Sequence, residues 1–411
     1  MTRIIATDDI PWARGFTDPA DVRQQATTIR EMVATRRVWR GDGPTWTIPT
    51  DDTDLSGLTL NLPNQPEQTL SEFFATAHSD GIAVLHRGRM VYESYLHGCK
   101  AHEPHLNASM AKSYVGLMAA LVEAQGLFSR DDLASKFIPE LAGTAFGDTR
   151  IQDLLHMGTD VTYGGRKFYR TIEASRYWAV VAPNLRPVNY HGPETILEHL
   201  ATARTAGPTG TEFRYENGNV ETVAEVLRRV TGTSTAELLS ELVWSHIGAE
   251  EDAFYIVDSA GTEMAAGGFS ATLRDVARVG EMIRCDGAIG DCQVIPPSIA
   301  RSMTAGVPEG YPAKVRSPRA PVDSPATMSY HDYWWILNDP FESFMASGIH
   351  GQRLLISRDL ELVVAHFGAH ILSPAITPPP FVPAFLQIGT HLASGTHEFT
   401  ATENTSRGQG S

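Results

Sequence analysis

The chain has 411 residues with a formal net charge of −15, and 42% of the residues are hydrophobic while 20% are charged. This composition is ordinary for a globular protein of one or two domains. The net charge is negative and the sequence has no run of basic residues, so we expect neither a nucleic-acid partner nor a membrane partner. Three scattered cysteines exclude a disulfide framework. With no signal-peptide run and no membrane-length apolar stretch, the sequence predicts a cytoplasmic protein that acts on a small molecule.

The predicted elements begin with a segment of weak periodicity. Residues 1–68 mix Pro, Asp, Thr and Gly around one helical piece at 21–35, and we interpret them as an N-terminal extension. Residues 82–95 predict two strands joined at Arg87-Gly88, where glycine supplies the turn conformation. Apolar residues at helical spacing then predict a long helix from Ser109 to about Ala124.

The rest of the chain reads as a helical block followed by strands. The predicted helices lie at 151–157, 193–202, 220–230 and 273–284, and the predicted strands at 333–337, 353–357 and 360–367. This order predicts an α/β (α+β) fold in which a sheet domain contains an inserted helical domain. The predicted division is an extension at 1–68, a sheet domain at 69–109 and 262–395, a helical domain at 110–261 and a disordered tail at 396–411.

A serine and a lysine stand three residues apart at the start of the long helix, as Ser109-Met-Ala-Lys112. Positions i and i+3 share one helix face, so the lysine amine can reach the serine hydroxyl and act as its base. A helix amino terminus and burial both disfavour a protonated lysine. The chain has five lysines, and this is its single Ser-x-x-Lys pair. The competing interpretation is a helix-capping serine beside a solvated lysine.

A second motif, Tyr215-Glu216-Asn217, precedes another predicted helix. A tyrosine hydroxyl beside a cationic lysine can relay a proton to the serine and to the leaving group. The Asn217 amide can hold both the lysine and a substrate carbonyl. A Tyr-x-Asn alone is more often a surface turn, but together with Ser109 and Lys112 it predicts a nucleophilic active site.

These motifs resemble those of the serine β-lactamase and penicillin-binding-protein superfamily, in the branch of the class C β-lactamases and their esterase relatives. Residues 151–159 are similar to the family's helix after the nucleophile, and residues 266–280 to the helix that re-enters the sheet domain. The resemblance covers residues 75–392. It implies a β-lactamase-like fold, with an antiparallel sheet flanked by helices and an inserted, mainly helical domain.

The third motif departs from the β-lactamase pattern. β-Lactamases carry a Lys-Thr-Gly that places a cation against the substrate carboxylate, whereas the matching stretch here, Ser347-Gly348-Ile349-His350, has no lysine. The resemblance therefore does not imply β-lactam hydrolysis. It implies an oxyanion hole formed by the N–H groups of Ser109 and Ile349, with Gly348 and His350 beside the substrate. A histidine that only holds the strand is the alternative for His350.

Several segments are similar to those of the 6-aminohexanoate-dimer hydrolases, which degrade nylon oligomers, and of related carboxylesterases. They are residues 139–143, 267–270, 333–335 and 348–355. This likeness implies that an acidic loop residue five positions before a tryptophan holds the ammonium end of a linear amide, and the matching pair is Glu173 and Trp178. A solvated loop charge is the alternative for Glu173. Trp335 is expected to line the substrate cleft, with core packing as its alternative.

Other chemistries find no support in the sequence. No GxSxG elbow occurs, which argues against an α/β-hydrolase, and no Walker A or strand-linked GxGxxG indicates a nucleotide cofactor. His97, His102 and His105 lie close together but not in an HExxH arrangement. We therefore expect surface histidines, no metal and no cofactor.

The sequence as a whole predicts a serine hydrolase that cleaves linear amides or short-chain carboxylic esters through an acyl-enzyme. Ser109, Lys112 and Tyr215 are the expected catalytic residues. Two alternatives stay open: a carboxylesterase without amide activity, and a non-catalytic penicillin-recognition-like binding module. A homodimer is also left open.

Overall fold

The computed structural model describes residues 18–51, 53–163, 166–167, 177, 180–181, 186, 190–306, 311, 328–371 and 379–403. Its helices are α1 (Pro19–Met32), α2 (Leu70–Thr76), α3 (Ala111–Ala124), α4 (Ile151–Leu155), α5 (Ile196–Ala201), α6 (Asn217–Thr231), α7 (Thr235–Leu239), α8 (Leu273–Arg284), α9 (Pro297–Ser302) and α10 (Phe381–Glu403). Its strands are β1 (Thr35–Val38), β2 (Thr59–Leu60), β3 (Gln68–Thr69), β4 (Ser79–His86), β5 (Arg89–Tyr95), β6 (His105–Leu106), β7 (Val161–Tyr163), β8 (Arg166–Lys167), β9 (Ala203–Thr205), β10 (Ala253–Ile256), β11 (Phe269–Ala271), β12 (Ala288–Ile289), β13 (Cys292–Gln293), β14 (Ser329–His331), β15 (Trp334–Ile336), β16 (Ser343–Ser347), β17 (Arg353–Ser357) and β18 (Leu362–Gly368).

The main sheet has seven antiparallel strands in the order β14-β15-β16-β17-β18-β4-β5. Strands from the two ends of the chain meet within this sheet, where β4 pairs with β18 in the register Val84↔Val364. Both of these strands are buried along their whole length. Because both faces are covered, their sequences are apolar runs rather than an alternation. The predicted mixed fold with an antiparallel sheet is confirmed.

Helices cover the two faces of this sheet. A Cβ at Gly280 of α8 would lie 2.6 Å from Val363 Cγ1, and a Cβ at Gly389 of α10 would lie 2.8 Å from Leu362 Cδ2. Successive side chains of a strand point to opposite faces. The neighbouring positions Leu362 and Val363 therefore place α10 and α8 on opposite sides of β18.

A second sheet, in the order β1-β10-β11-β6, joins the amino-terminal segment to the body. The segment is also held by Arg23 of α1, which pairs with the buried carboxylate of Asp80. Asp80 lies 3.1 Å from Nε2 of His105 as well, and the His105 ring stacks on Phe367. Our expectation of a surface His105 is therefore wrong: the residue is 2% exposed, because a carboxylate and an aromatic ring provide its buried partners.

Local predictions agree with the structure at the first hairpin and at α8. The β4–β5 turn falls at Arg87-Gly88, both with positive φ, and α8 spans the predicted residues. The carboxy-terminal prediction differs, since α10 continues to Glu403, past residue 395 where we ended the ordered chain. No proline follows Pro383 to interrupt it. The division into domains stays a prediction.

None of the helices in the described ranges combines the length and the apolar character needed to cross a bilayer.

Helix α3 is packed tightly against the β14–β15 turn. A Cβ at Gly116 of α3 would overlap the carbonyl oxygen of Asp332, so only glycine permits this approach. Ser113 Oγ donates to the Tyr333 carbonyl at 2.8 Å. Asp332 and Tyr333 both have left-handed φ values, 46° and 67°. The sheet thus clamps the helix that follows Ser109.

We expect Gly116→Ala to lower the free energy of unfolding by about 1–3 kcal/mol, the usual cost of overpacking, because the new methyl must displace the Asp332 backbone. Urea denaturation measures the change. Gly57→Ala is the matched control, since no atom lies within 4 Å of its Cβ position, and it should change stability by less than about 0.5 kcal/mol. Equal effects of the two substitutions would contradict the clamp.

Candidate active site

Ser109 and Lys112 meet at the amino-terminal end of α3. Ser109 lies in a 3-10 turn, Ala108–Met110, directly before the helix and is half-buried, whereas Lys112 is 1% exposed. Lys112 Nζ donates to Ser109 Oγ at 2.9 Å and to the Ala266 carbonyl oxygen at 2.6 Å. The spacing predicted from the sequence therefore produces a hydrogen bond, with the serine in a tighter turn than expected.

The backbone before Ser109 is strained. Ala108 has a φ of 49°, in the left-handed region that residues other than glycine rarely adopt. The neighbouring Asn107 holds this turn, because its N–H donates to the Phe269 carbonyl at 2.8 Å and its side-chain amide donates to the His105 carbonyl at 2.9 Å. Such strain persists only where surrounding contacts impose it, and here it presents the Ser109 side chain at the end of the helix.

Burial dominates the chemistry of Lys112. Loss of hydration lowers the pKa of its ammonium group to about 7, although Glu221 and Glu216 oppose the change. A large fraction of Lys112 is therefore uncharged near neutral pH. An uncharged amine within hydrogen-bond distance of a serine hydroxyl can accept its proton.

Tyr215 reaches the same point from the loop before α6. Its ring centroid lies 5.0 Å from Lys112 Nζ. The ring stacks on Trp335 of β15 at 6.2 Å and 19°, and Phe213 and Tyr330 also pack against Trp335. Trp335 is 7% exposed, so it is a core residue that supports the Tyr215 ring. Its contact with substrate stays a prediction.

Asn217 does not hold Lys112 as we expected. Among the described residues, the lysine amine donates to the Ser109 hydroxyl and to the Ala266 carbonyl. Asn217 begins α6, where Glu216 provides the cap by accepting from the Gly218 N–H at 3.1 Å. A backbone carbonyl from the β10–β11 connection thus takes the place expected for the asparagine amide.

The third motif lies beside the segment that carries the serine. A Cβ at Gly348 would be 2.5 Å from the Asn107 carbonyl oxygen, so this close approach requires glycine. Ile349 follows with a 47% exposed side chain. His350 has a φ of 68°, and its Nδ1 lies 2.9 Å from the His370 carbonyl oxygen. This contact favours a structural role for His350, while the pairing of the Ser109 and Ile349 N–H groups stays a prediction.

A buried carboxylate that was not predicted from the sequence, Glu221, lies on α6. It accepts from the N–H groups of Ala265 at 3.0 Å and Ala266 at 2.9 Å, and from the Tyr177 hydroxyl. Burial raises its pKa to about 7. The available signal was a charged residue between Val220 and Val223 on the apolar side of a predicted helix.

Glu216 is a second buried carboxylate that we missed, although it lies inside the Tyr-x-Asn motif. It caps α6 and lies 3.4 Å from the Tyr163 hydroxyl. Burial raises its pKa to about 7. The remaining predicted pair, Glu173 and Trp178, falls outside the residues that the structure describes.

One group in the described part of the chain has donor types that could hold a metal. The donor atoms of His156, His331 and Asp332 lie within 4.8 Å of one another. Both oxygens of Asp332 already accept from the Arg130 guanidinium at 2.7 Å. Because the carboxylate has a bidentate cationic partner, we interpret the group as an ion pair that ties the loop after α3 to the β14–β15 turn.

Comparison with known proteins places the chain in a family. The profile of the beta-lactamase family matches residues 67–367. The chain is 29% identical to the 6-aminohexanoate-dimer hydrolase of Paenarthrobacter ureafaciens over 346 residues, which are 82% of each protein.

Solved structures agree. The chain is similar to a Bacillus anthracis structure assigned as a 6-aminohexanoate-dimer hydrolase, with 28% identity, a TM-score of 0.83 and coverage of 96% and 98%. A family VIII carboxylesterase shares the fold, with 15% identity, a TM-score of 0.55 and coverage of 78% and 95%. The chain therefore belongs to the beta-lactamase family and is a serine hydrolase of the β-lactamase-like fold.

Proposed function

We propose that this protein hydrolyses linear amides or short-chain carboxylic esters through an acyl-enzyme. The observation that carries the proposal is the 2.9 Å hydrogen bond from Lys112 Nζ to Ser109 Oγ, made by a lysine that is 1% exposed. Similarity to proteins named for 6-aminohexanoate dimers and for carboxylic esters supports the substrate class. A cytoplasmic location, the lack of a nucleic-acid partner and a homodimer are kept as predictions from the sequence.

In the proposed reaction, Ser109 Oγ attacks the substrate carbonyl carbon while the uncharged Lys112 amine accepts the hydroxyl proton. The N–H groups of Ser109 and Ile349 stabilise the oxyanion, each donor contributing about 3 kcal/mol. Tyr215 passes the proton to the departing amine or alcohol. Water then attacks the acyl carbon and gives up a proton to the Lys112–Tyr215 pair. The bond between the acyl carbon and Ser109 Oγ breaks, the pair returns that proton to Oγ, and the carboxylic acid is released.

The third motif supports a substrate without a fixed carboxylate beside the reacting carbonyl. Ser347-Gly348-Ile349 carries no lysine. Arg353, on the neighbouring strand, is 5% exposed and donates to the carbonyl oxygens of Gly348 at 2.6 Å and Gln352 at 2.9 Å. This guanidinium is directed to the backbone, and the exposed Ile349 side chain gives the motif an apolar surface.

The first test is chemical labelling of the nucleophile. We expect a fluorophosphonate probe to label Ser109, and Ser109→Ala to lose the label together with about 10³-fold or more of the turnover, because the proposed acyl-enzyme forms on the Ser109 hydroxyl. Mass mapping and rates on a p-nitrophenyl ester measure both. Ser113→Ala is the matched control, since that hydroxyl donates to the Tyr333 carbonyl, and it should retain both. An unlabelled wild-type Ser109 would favour the binding-module alternative.

The second test separates amidase from esterase. We expect turnover of both p-nitrophenyl esters and the linear 6-aminohexanoate dimer, with faster ester cleavage because an alkoxide or phenolate leaves more readily than an amine. Initial rates on the two substrates, compared side by side, measure the preference. Glu173→Ala is expected to lower the amide rate and to leave the ester rate unchanged. Ester turnover without amide turnover would favour the carboxylesterase alternative.

The third test is the pH dependence of kcat/KM. The protonated ammonium of Lys112 cannot accept the serine proton, so activity should rise with pH through the lowered pKa of about 7 and then level off. Below that pKa, kcat/KM on a neutral ester should fall about tenfold per pH unit. Samples returned to pH 8 before assay control for irreversible inactivation. A flat profile between about pH 5 and 9 would contradict Lys112 as the base.

A further inference from the structure

The position of the Lys112 amine depends on one backbone carbonyl. Nζ lies between Ser109 Oγ, at 2.9 Å, and the Ala266 carbonyl oxygen, at 2.6 Å. The lysine side chain has four rotatable bonds, so its amine stays beside the serine only if an acceptor holds it there. The Ala266 carbonyl is that acceptor, and its own placement becomes part of the site.

The segment that carries this carbonyl has little side-chain anchorage of its own. It reads Ala265-Ala266-Gly267-Gly268 and connects β10 to β11. The Glu221 carboxylate of α6 holds this segment by accepting from the N–H groups of Ala265 and Ala266. The peptide units that flank Ala266 therefore bind Glu221 through an N–H on one side and Lys112 through a carbonyl on the other.

The carboxylates near Glu221 have other partners. Glu225 pairs with Arg228 and Arg229, Glu263 pairs with Arg36, and Glu216 caps α6. Among the residues that the structure describes, the ionisable groups that face Glu221 or Lys112 include Glu216 and five tyrosines: Tyr163, Tyr177, Tyr215, Tyr255 and Tyr333. The His199 ring packs against Tyr163 and Tyr177. Within the described residues, Glu221 is the carboxylate bonded to the Ala265–Ala266 backbone.

We propose that Glu221 is a positioning residue of the hydrolytic site: by binding the Ala265 and Ala266 N–H groups, it fixes the Ala266 carbonyl that keeps Lys112 Nζ beside Ser109. The inference rests on the proposed function. Glu221 acts through the backbone and through Lys112, and it does not contact the substrate. Its buried negative charge also favours the protonated form of Lys112.

The experiment compares Glu221→Gln with Glu225→Gln. In Glu221→Gln the side-chain amide oxygen can still accept from one of the two backbone N–H groups. The amide nitrogen is itself a donor and cannot accept from the other, and the negative charge is lost. We expect a loss of about 10- to 100-fold in kcat and in the rate of fluorophosphonate labelling, with KM nearly unchanged, because Lys112 is displaced from Ser109. The acid limb of the pH profile should move to lower pH, since removing a negative charge destabilises the ammonium.

Glu225→Gln is the matched control because it changes a buried glutamate of the same helix that is bonded to arginines, and it should keep the wild-type labelling rate and pH profile. Thermal unfolding of each variant accompanies the assays. Wild-type labelling and an unmoved acid limb in Glu221→Gln would overturn the proposal, as would an equal loss in both variants.

If Glu221→Gln does not fold, Glu221→Asp takes its place, because it keeps the charge but shortens the reach to the backbone. It should slow labelling without moving the acid limb, and wild-type labelling would overturn the proposal. Failure of the proposed function is distinguishable, since the wild-type protein would then leave Ser109 unlabelled, whereas failure of the positioning role alone leaves the wild-type label intact.

Discussion

The burial of the Lys112 amine is the constraint on which the rest of the site depends. A solvated lysine stays protonated and cannot accept a proton from a serine, whereas burial brings its pKa to about 7. Burial alone would leave the amine unsatisfied, so the structure supplies two acceptors, Ser109 Oγ and the Ala266 carbonyl, and an aromatic face from Tyr215. Each acceptor comes from a different part of the chain.

The same constraint explains the tight packing around α3. Gly116 lets the Asp332 backbone contact the helix, and Gly348 lets β16 reach the Asn107 backbone. These contacts exclude water from the lysine side of the helix and leave Ser109 half-exposed. A serine that is partly exposed, beside a buried lysine, is the arrangement that the proposed acyl transfer needs.

Features that depend on local spacing could be predicted from the sequence, whereas features that depend on contacts between distant segments could not. Ser109 and Lys112 lie three residues apart where α3 begins, and the β4–β5 hairpin is set by its glycine turn, so both were predictable. Asn217 was expected to hold Lys112 from its motif alone, but the acceptor is the Ala266 backbone, which has no side-chain signature. His105 looked like a surface histidine because its partner, Asp80, is 25 positions away in the chain.

By itself, the sequence determined the Ser-x-x-Lys spacing, the Tyr-x-Asn motif, the mixed fold and the missing lysine of the third motif, because residue types and short spacings carry that information. The tertiary structure alone decided which groups surround the lysine. The Ala266 carbonyl contacts the lysine, Glu221 of α6 holds the Ala266 backbone, and Trp335 of β15 stacks on Tyr215. Only a packed core brings such distant segments together. The pKa of Lys112 follows from that packing, since burial is a property of the whole fold and not of any motif.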